Sequence, residues 1–233
     1  MFQATLFDYN GVLVDDEAVH LAAFQDALAP QGVTLTEHDY WQRYLGFDDA
    51  GAFRAILTDA GSPPDDALVA ELIERKRPLY LARAKVSLVT FPGAREGLEL
   101  CASFGPVCIV SGALRDEIEL GLSVLGARHT VKAIVSAEDT KACKPDPEGY
   151  ELGKKELERF ANGDAASLLR RTLVIEDSTA GIQAAKAAGL FCLGVTHSYP
   201  RETLLEAGAD HVIDNLTQLS RELLVELSRK VHG

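Results

Sequence analysis

The first fifteen residues constrain this chain most. Gln3-Ala4-Thr5-Leu6-Phe7 is a short apolar run of the kind that makes a buried parallel strand, and it stops at Asp8-Tyr9-Asn10-Gly11. Open parallel sheets bind ligands at the carboxyl ends of their strands, so Asp8 is a candidate for chemistry, although the same four residues also suit a plain turn. After Leu13-Val14-Asp15 the period becomes helical: Leu21, Phe24 and Leu28 recur at three and four residues, with Asp16 and Glu17 at the positive N-terminal end. Pro30-Gln31-Gly32 stops that helix. From Thr36 to Arg83 the pattern stays helical, broken at Leu45-Gly46-Phe47-Asp48-Asp49 and at Gly61-Ser62-Pro63-Pro64, with Asp65-Asp66 opening the next helix. A purely helical block placed after one strand and before any second one points to an inserted cap. The expected division is a core of residues 1–15 and 86–233 and a cap of residues 16–85, with hinges near Leu13 to Asp16 and Lys85 to Thr90.

From Phe91-Pro92-Gly93 onward, strand and helix alternate. Val107-Cys108-Ile109-Val110, Ala133-Ile134-Val135, Thr172-Leu173-Val174-Ile175, Cys192-Leu193-Gly194-Val195 and His211-Val212-Ile213 read as strands. Between them lie helical patterns such as Leu114, Ile118, Leu122 and Leu125, and the Ala-rich stretch from Ala180 to Ala188, closed by Gly189. Ala161-Asn162-Gly163-Asp164 reads as a loop before Thr172-Leu173-Val174-Ile175, the fourth strand when the N-terminal one is counted. The expected fold class is α/β, a doubly wound parallel sheet forming a Rossmann-like core, with an inserted helical cap domain.

At 233 residues and 47% hydrophobic, the chain is long enough to bury a full core. Its 35 acidic against 23 basic residues give a net charge of -12, which repels phosphate backbones and anionic lipid, so neither nucleic acid nor membrane is an expected partner. Cys101, Cys108, Cys143 and Cys192 show no C-x-x-C spacing, and all but Cys143 sit in apolar runs, which suits a reduced, cytoplasmic setting. No signal segment or run of membrane-spanning length stands out. A monomer or homodimer is expected.

Three further polar groups follow strands or open helices. Ser111-Gly112 comes directly after a strand, where a hydroxyl and a backbone N–H can hold a phosphoryl oxygen; a helix N-cap is the plainer reading. Lys144 precedes Pro145-Asp146-Pro147, whose two prolines give its ammonium a defined base, though a solvated lysine fits as well. Glu176-Asp177 sets two carboxylates side by side at the end of an apolar strand, which is costly without a cation, and hard oxygen ligands suit Mg²⁺.

Asp8, Ser111, Lys144 and Glu176-Asp177 follow the order and strand context of the four motifs of the haloacid dehalogenase superfamily, which the core of this chain resembles. Its helical insertion is similar to the cap of β-phosphoglucomutases and related sugar-phosphate phosphatases, with Gly11-Val12, His20, Glu74-Arg75-Lys76 and Tyr80 adding to the likeness. The resemblance implies a Mg²⁺-dependent phosphatase of a small phosphorylated metabolite. Asp8 would be the nucleophile that forms an aspartyl-phosphate. Mg²⁺ would be held by Asp8, the backbone carbonyl of Asn10, Asp177 and, directly or through water, Glu176. Lys144 and Ser111 would balance the phosphoryl oxygens. His20, Gly46, Asp48, Lys76 and Gly112 would be the substrate-binding positions.

The departure is Asn10, where the family has the Asp that gives and takes the proton. An amide has no such proton, so chemistry slowed by roughly a hundred- to ten-thousandfold is expected. Other readings stay open: a β-phosphoglucomutase-type phosphomutase, a catalytically weak phosphometabolite-binding or regulatory protein, and a metal-free haloacid dehalogenase, against which Glu176-Asp177 speaks. The loop at residues 45–49 offers Asp48 and Asp49 where the mutases carry a basic residue for a second phosphate. It is therefore expected to disfavour bisphosphates, with Arg75 and Lys76 as either compensating or solvated charges.

Overall fold

A computed structural model describes residues 1–160 and 164–230. Ala161-Asn162-Gly163, which begin the loop expected before the strand at Thr172, lie outside the described residues. The chain divides into two compact units, one of Met1–Asp15 with Thr90–Gly233 and one of Asp16–Val89.

The larger unit is built on a six-stranded sheet. Its strands are β1 (Ala4–Phe7), β4 (Val107–Val110), β5 (Val131–Val135), β6 (Thr172–Glu176), β7 (Phe191–Val195) and β8 (His211–Ile213), with the short β2 (Val14–Asp15) and β3 (Val89–Thr90) falling between β1 and β4 in the chain. The order is β5-β4-β1-β6-β7-β8 and every pairing is parallel. β1, β4 and β6 are buried along their whole length, so their runs read as continuously apolar instead of alternating. Helices α5 (Ala94–Ala102), α6 (Arg115–Leu125), α7 (Glu148–Glu158), α8 (Ala165–Arg170), α9 (Thr179–Ala187), α10 (Arg201–Glu206) and α11 (Arg221–Lys230) complete the unit. Leu6, Cys108, Val110, Val174 and Cys192 from the strands pack with Tyr150 and Leu157 of α7 and Ile182 of α9 in one core cluster. This is the doubly wound, Rossmann-like architecture expected from the sequence, and its strands fall where the apolar runs lie.

The smaller unit is helical: α1 (Glu17–Leu28), α2 (Glu37–Asp39) running into a π-helical turn at Tyr40–Tyr44, α3 (Asp49–Asp59) and α4 (Asp66–Ser87). Its own core joins Phe24, Ala27 and Leu28 of α1 to Phe53, Ile56 and Leu57 of α3 and to Val69 and Leu72 of α4. Asp48 and Asp65 cap α3 and α4, each accepting a hydrogen bond from the backbone N–H three residues on. Position 85, the expected boundary, falls inside α4, and the unit extends to Val89.

Candidate active site

The parallel register brings three strand ends to one level. Phe7 of β1 pairs with Ile109 of β4 on one side and with Ile175 of β6 on the other, so Asp8, Ser111 and Glu176-Asp177 emerge together. β1 is also where the winding reverses: β4 and β5 lie to one side, and β6, β7 and β8 to the other. A crevice at the carboxyl end of such a switch point is where open α/β sheets bind ligands.

Lys144 ties these ends together. Its Nζ donates to Asp8 Oδ1 at 2.6 Å, to Glu176 Oε1 at 2.5 Å and to the Val110 carbonyl at 3.3 Å. Glu176 is fully buried and both of its oxygens are in use. Oε1 also accepts from the Tyr150 hydroxyl at 2.7 Å, while Oε2 accepts from the Asp177 and Ser178 backbone N–H groups and the Ser178 hydroxyl, each at 3.1 Å. Gly181 makes room for this, since a Cβ there would lie 1.7 Å from Glu176 Oε1.

Burial pushes the Asp8 carboxyl up from 3.8 to about 7; Lys144 pulls it back and Glu176 raises it further. Asp177 is held well above the usual carboxylate range, first by burial and then by Glu176 and Asp8. Burial alone would lower the Lys144 ammonium, but the charges of Asp8 and Glu176 outweigh it and hold it above its ordinary value. Carboxylate oxygens of Asp8, Glu176 and Asp177 lie within 4.8 Å of one another. Three carboxylates against one ammonium leave an excess of negative charge in a buried pocket, the setting in which a hard divalent cation is stabilised by oxygen ligands.

Asn10 and Ser111 meet across the strand ends, the Ser111 hydroxyl donating to Asn10 Oδ1 at 3.1 Å and accepting from the Ala113 N–H at 3.1 Å. Gly112, beside it, is exposed. Gly11 turns the chain with φ 76°, and a Cβ there would lie 2.0 Å from Asp177 Oδ2. Only glycine lets this turn and the Asp177 carboxylate approach so closely.

Against this geometry, the model of the haloacid dehalogenase-like hydrolase family matches residues 5–195. The chain belongs to that family.

It is 30% identical over 221 residues to the validoxylamine A 7'-phosphate phosphatase of Streptomyces hygroscopicus subsp. limoneus, covering 94% of this chain and 96% of the relative. It is 30% identical over 213 residues to the phosphorylated carbohydrates phosphatase of Thermotoga maritima, covering 89% of this chain and 92% of that one. Among solved structures, CbbY from Rhodobacter sphaeroides in complex with phosphate superposes with a TM-score of 0.81 at 24% identity, over 94% of this chain and 97% of that one. A β-phosphoglucomutase from Clostridium difficile superposes with a TM-score of 0.81 at 21% identity, over 99% of this chain and 98% of that one, a likeness of fold.

The helical unit of this haloacid dehalogenase-like hydrolase carries the other residues singled out in the sequence. Gly46 turns the chain at φ 81° before α3, and Asp48 accepts from the Gly51 N–H at 2.8 Å as the α3 cap. Lys76 is no solvated helix charge, being 0% exposed. Its Nζ donates to Asp49 Oδ1 at 2.5 Å and to His20 Nδ1 at 2.8 Å, and lies 4.5 Å from the centroid of the Phe24 ring. His20 Nε2 in turn lies 3.1 Å from Asp16 Oδ2. One of the two acidic charges of the 45–49 loop is thus balanced inside the helical unit. Arg75 is half-buried, paired with Glu71 and donating to the Ala27 carbonyl at 3.2 Å.

Sequence reasoning passed over Tyr150, Ser178, His197 and Ser198, all of which touch this cluster or its turn. His197 Nδ1 lies 2.8 Å from the Gly11 carbonyl, which can only accept, so this nitrogen carries the hydrogen. The Ser198 hydroxyl donates to Asp177 Oδ2 in a short hydrogen bond. The signal that could have found the last pair is the polar run Thr196-His197-Ser198 directly after β7, another strand end on the ligand-binding side.

Proposed function

We propose that this hydrolase is a Mg²⁺-dependent phosphatase of a small phosphorylated carbohydrate, acting through an aspartyl-phosphate on Asp8. The observation that supports this is the buried cluster in which Lys144 bridges Asp8 and Glu176 beside Asp177. Similarity over about nine-tenths of the chain or more to a phosphorylated carbohydrates phosphatase and to a validoxylamine A 7'-phosphate phosphatase supports the substrate class.

In the proposed reaction an Asp8 carboxylate oxygen forms a bond to phosphorus while the ester P–O bond breaks, its electron pair leaving with the sugar oxygen. That oxygen takes a proton, and water then attacks the aspartyl-phosphate to release phosphate and regenerate Asp8. Lys144 keeps Asp8 oriented and supplies positive charge next to the developing anion. Ser111, now turned to Asn10, is the hydroxyl at hand for a phosphoryl oxygen. Asp8, Asp177 and the Asn10 backbone carbonyl would hold Mg²⁺, with Glu176, whose oxygens already accept hydrogen bonds, contributing charge beside them. When bound, Mg²⁺ supplies neutralisation of these carboxylates and of the phosphoryl oxygens.

Asn10 cannot give the leaving oxygen its proton, so water must. We assign slow turnover to this substitution. The specific reading that competes is a phosphometabolite-binding protein, and Asn10 itself is the observation in its favour. Residues 45–49 contain no Lys or Arg to grip a second phosphate, which favours release of phosphate over isomerisation.

The test is phosphate release from a panel of sugar monophosphates, with Mg²⁺ and with EDTA, for this chain and its Asn10→Asp variant. The reading expects Mg²⁺-dependent release that rises by about a hundredfold or more in Asn10→Asp. No release from any substrate by either protein would favour the binding protein, and isomerisation of glucose 1-phosphate outpacing release would favour a mutase.

A further inference from the structure

The segment after β7 makes two contacts that the proposed chemistry does not use. Val195 ends β7, and Thr196 stays pinned to the sheet by its N–H, which donates to the Ile213 carbonyl at 3.1 Å. The next two side chains then reach in different directions. His197 donates from Nδ1 to the Gly11 carbonyl at 2.8 Å, and Ser198 donates its hydroxyl hydrogen to Asp177 Oδ2. Gly11 and Asp177 are themselves in contact, since a Cβ on Gly11 would lie 2.0 Å from Asp177 Oδ2. The four residues therefore close a circuit: the turn after the nucleophile, the carboxylate after β6, and two consecutive residues after β7. His197 is fixed in turn by stacking on Phe91, with ring centroids 3.8 Å apart and planes at 12°.

We infer that His197 and Ser198 are positioning residues that preset the Gly11 turn and the Asp177 carboxylate, so that the cation site is formed before the cation arrives. The inference rests on the cation reading of Asp8 and Asp177 given above. A carboxylate free to rotate loses that freedom when it takes a ligand, and groups that orient metal ligands in advance typically change metal affinity by about 10- to 100-fold. Ser198 can do this because its hydroxyl holds one chosen oxygen of Asp177. His197 does it from the other side, by preventing the Gly11 peptide from turning over. Neither residue needs to touch a substrate.

The experiment is isothermal calorimetry of MgCl₂ into the purified full chain and into Ser198→Ala, Ser198→Thr and His197→Phe, with thermal melts in EDTA run beside it. His197→Phe keeps the ring on Phe91 and removes the donor. We expect Ser198→Ala to bind Mg²⁺ about tenfold more weakly, Ser198→Thr to stay within about twofold of the parent because its hydroxyl is retained, and His197→Phe to be weakened as well. Melts in EDTA should be close to that of the parent. Ser198→Ala binding Mg²⁺ as tightly as the parent would overturn the inference while leaving the cation reading intact. A parent chain that binds no Mg²⁺ would overturn both. A Ser198→Thr variant as weak as Ser198→Ala would also count against it, because loss of the hydroxyl could then not be the cause.

Discussion

Tyr150 donates its hydroxyl hydrogen to Glu176 Oε1 at 2.7 Å, the same oxygen that takes the Lys144 ammonium at 2.5 Å. Both side chains in this hydrogen bond are fully buried. Lys144 therefore answers to a carboxylate whose position is set from α7 as well as from β6, and its Nζ lies 5.2 Å from the centroid of the Tyr150 ring. Hydrogen bonds to charged groups contribute about 1.5–3 kcal/mol, so Tyr150→Phe should lower unfolding free energy by about 2 kcal/mol in urea melts. An unchanged melt would mean that Glu176 is held without it.

Gly11→Ala should abolish the site while the protein still folds. The positive φ of 76° costs a non-glycine residue about 1–2 kcal/mol, and the new methyl would meet Asp177 Oδ2 at 2.0 Å, so Asp177 must move. The expected result is a folded protein by circular dichroism whose Mg²⁺ binding by calorimetry and phosphate release are both lost. Retained binding would show that the Asp177 position is not critical.

Without divalent cation, stability should fall as pH rises. The folded Asp8 carboxyl is raised from 3.8 to about 7, and Asp177 is raised in the same direction, so the folded state binds more protons than the unfolded chain in that window. A carboxyl of this kind favours the folded state most below its unfolded value, and that contribution is lost as pH climbs through the folded one. Melts in EDTA should therefore show the Tm dropping between about pH 5 and pH 8. Added Mg²⁺ should raise the Tm more at pH 8 than at pH 5, and Asp8→Asn should flatten the decline. Parallel curves with and without Mg²⁺ would remove the linkage.

Within the helical unit, Asp49→Asn should be costly despite its place near a helix start. It would leave Lys76, 0% exposed, without the carboxylate that its Nζ meets at 2.5 Å, and removing one partner of a buried ion pair costs about 3–5 kcal/mol. His20 and the Phe24 ring remain beside the ammonium, so the lower end of that range is expected in denaturant melts. Asp48→Asn should cost far less, because Asn caps a helix about as well as Asp does.

How much of this was legible in the sequence depended on whether the signal was local. The strands were, because a fully buried parallel strand is a contiguous apolar run, and the first polar residue after it marks a sheet end. Asp8, Ser111 and Glu176-Asp177 could be named on that ground. Lys144 could be named from the prolines that follow it, and Asn10 from its place in the first motif. The partners that complete the cluster could not. Tyr150 lies 26 residues from Glu176 and Ser198 lies 21 from Asp177, while His197 lies 186 from Gly11, and no periodicity links residues so separated. Lys76 is the sharpest case: in Glu74-Arg75-Lys76-Arg77 it reads either as a substrate-binding charge or as a solvated one, yet it is buried against Asp49, 27 residues away, and His20, 56 away. Apolar patterning is set by which face of an element leaves water and is therefore written along the chain. The choice of partner for a buried polar group is made only when distant elements pack, and so it belongs to the tertiary structure.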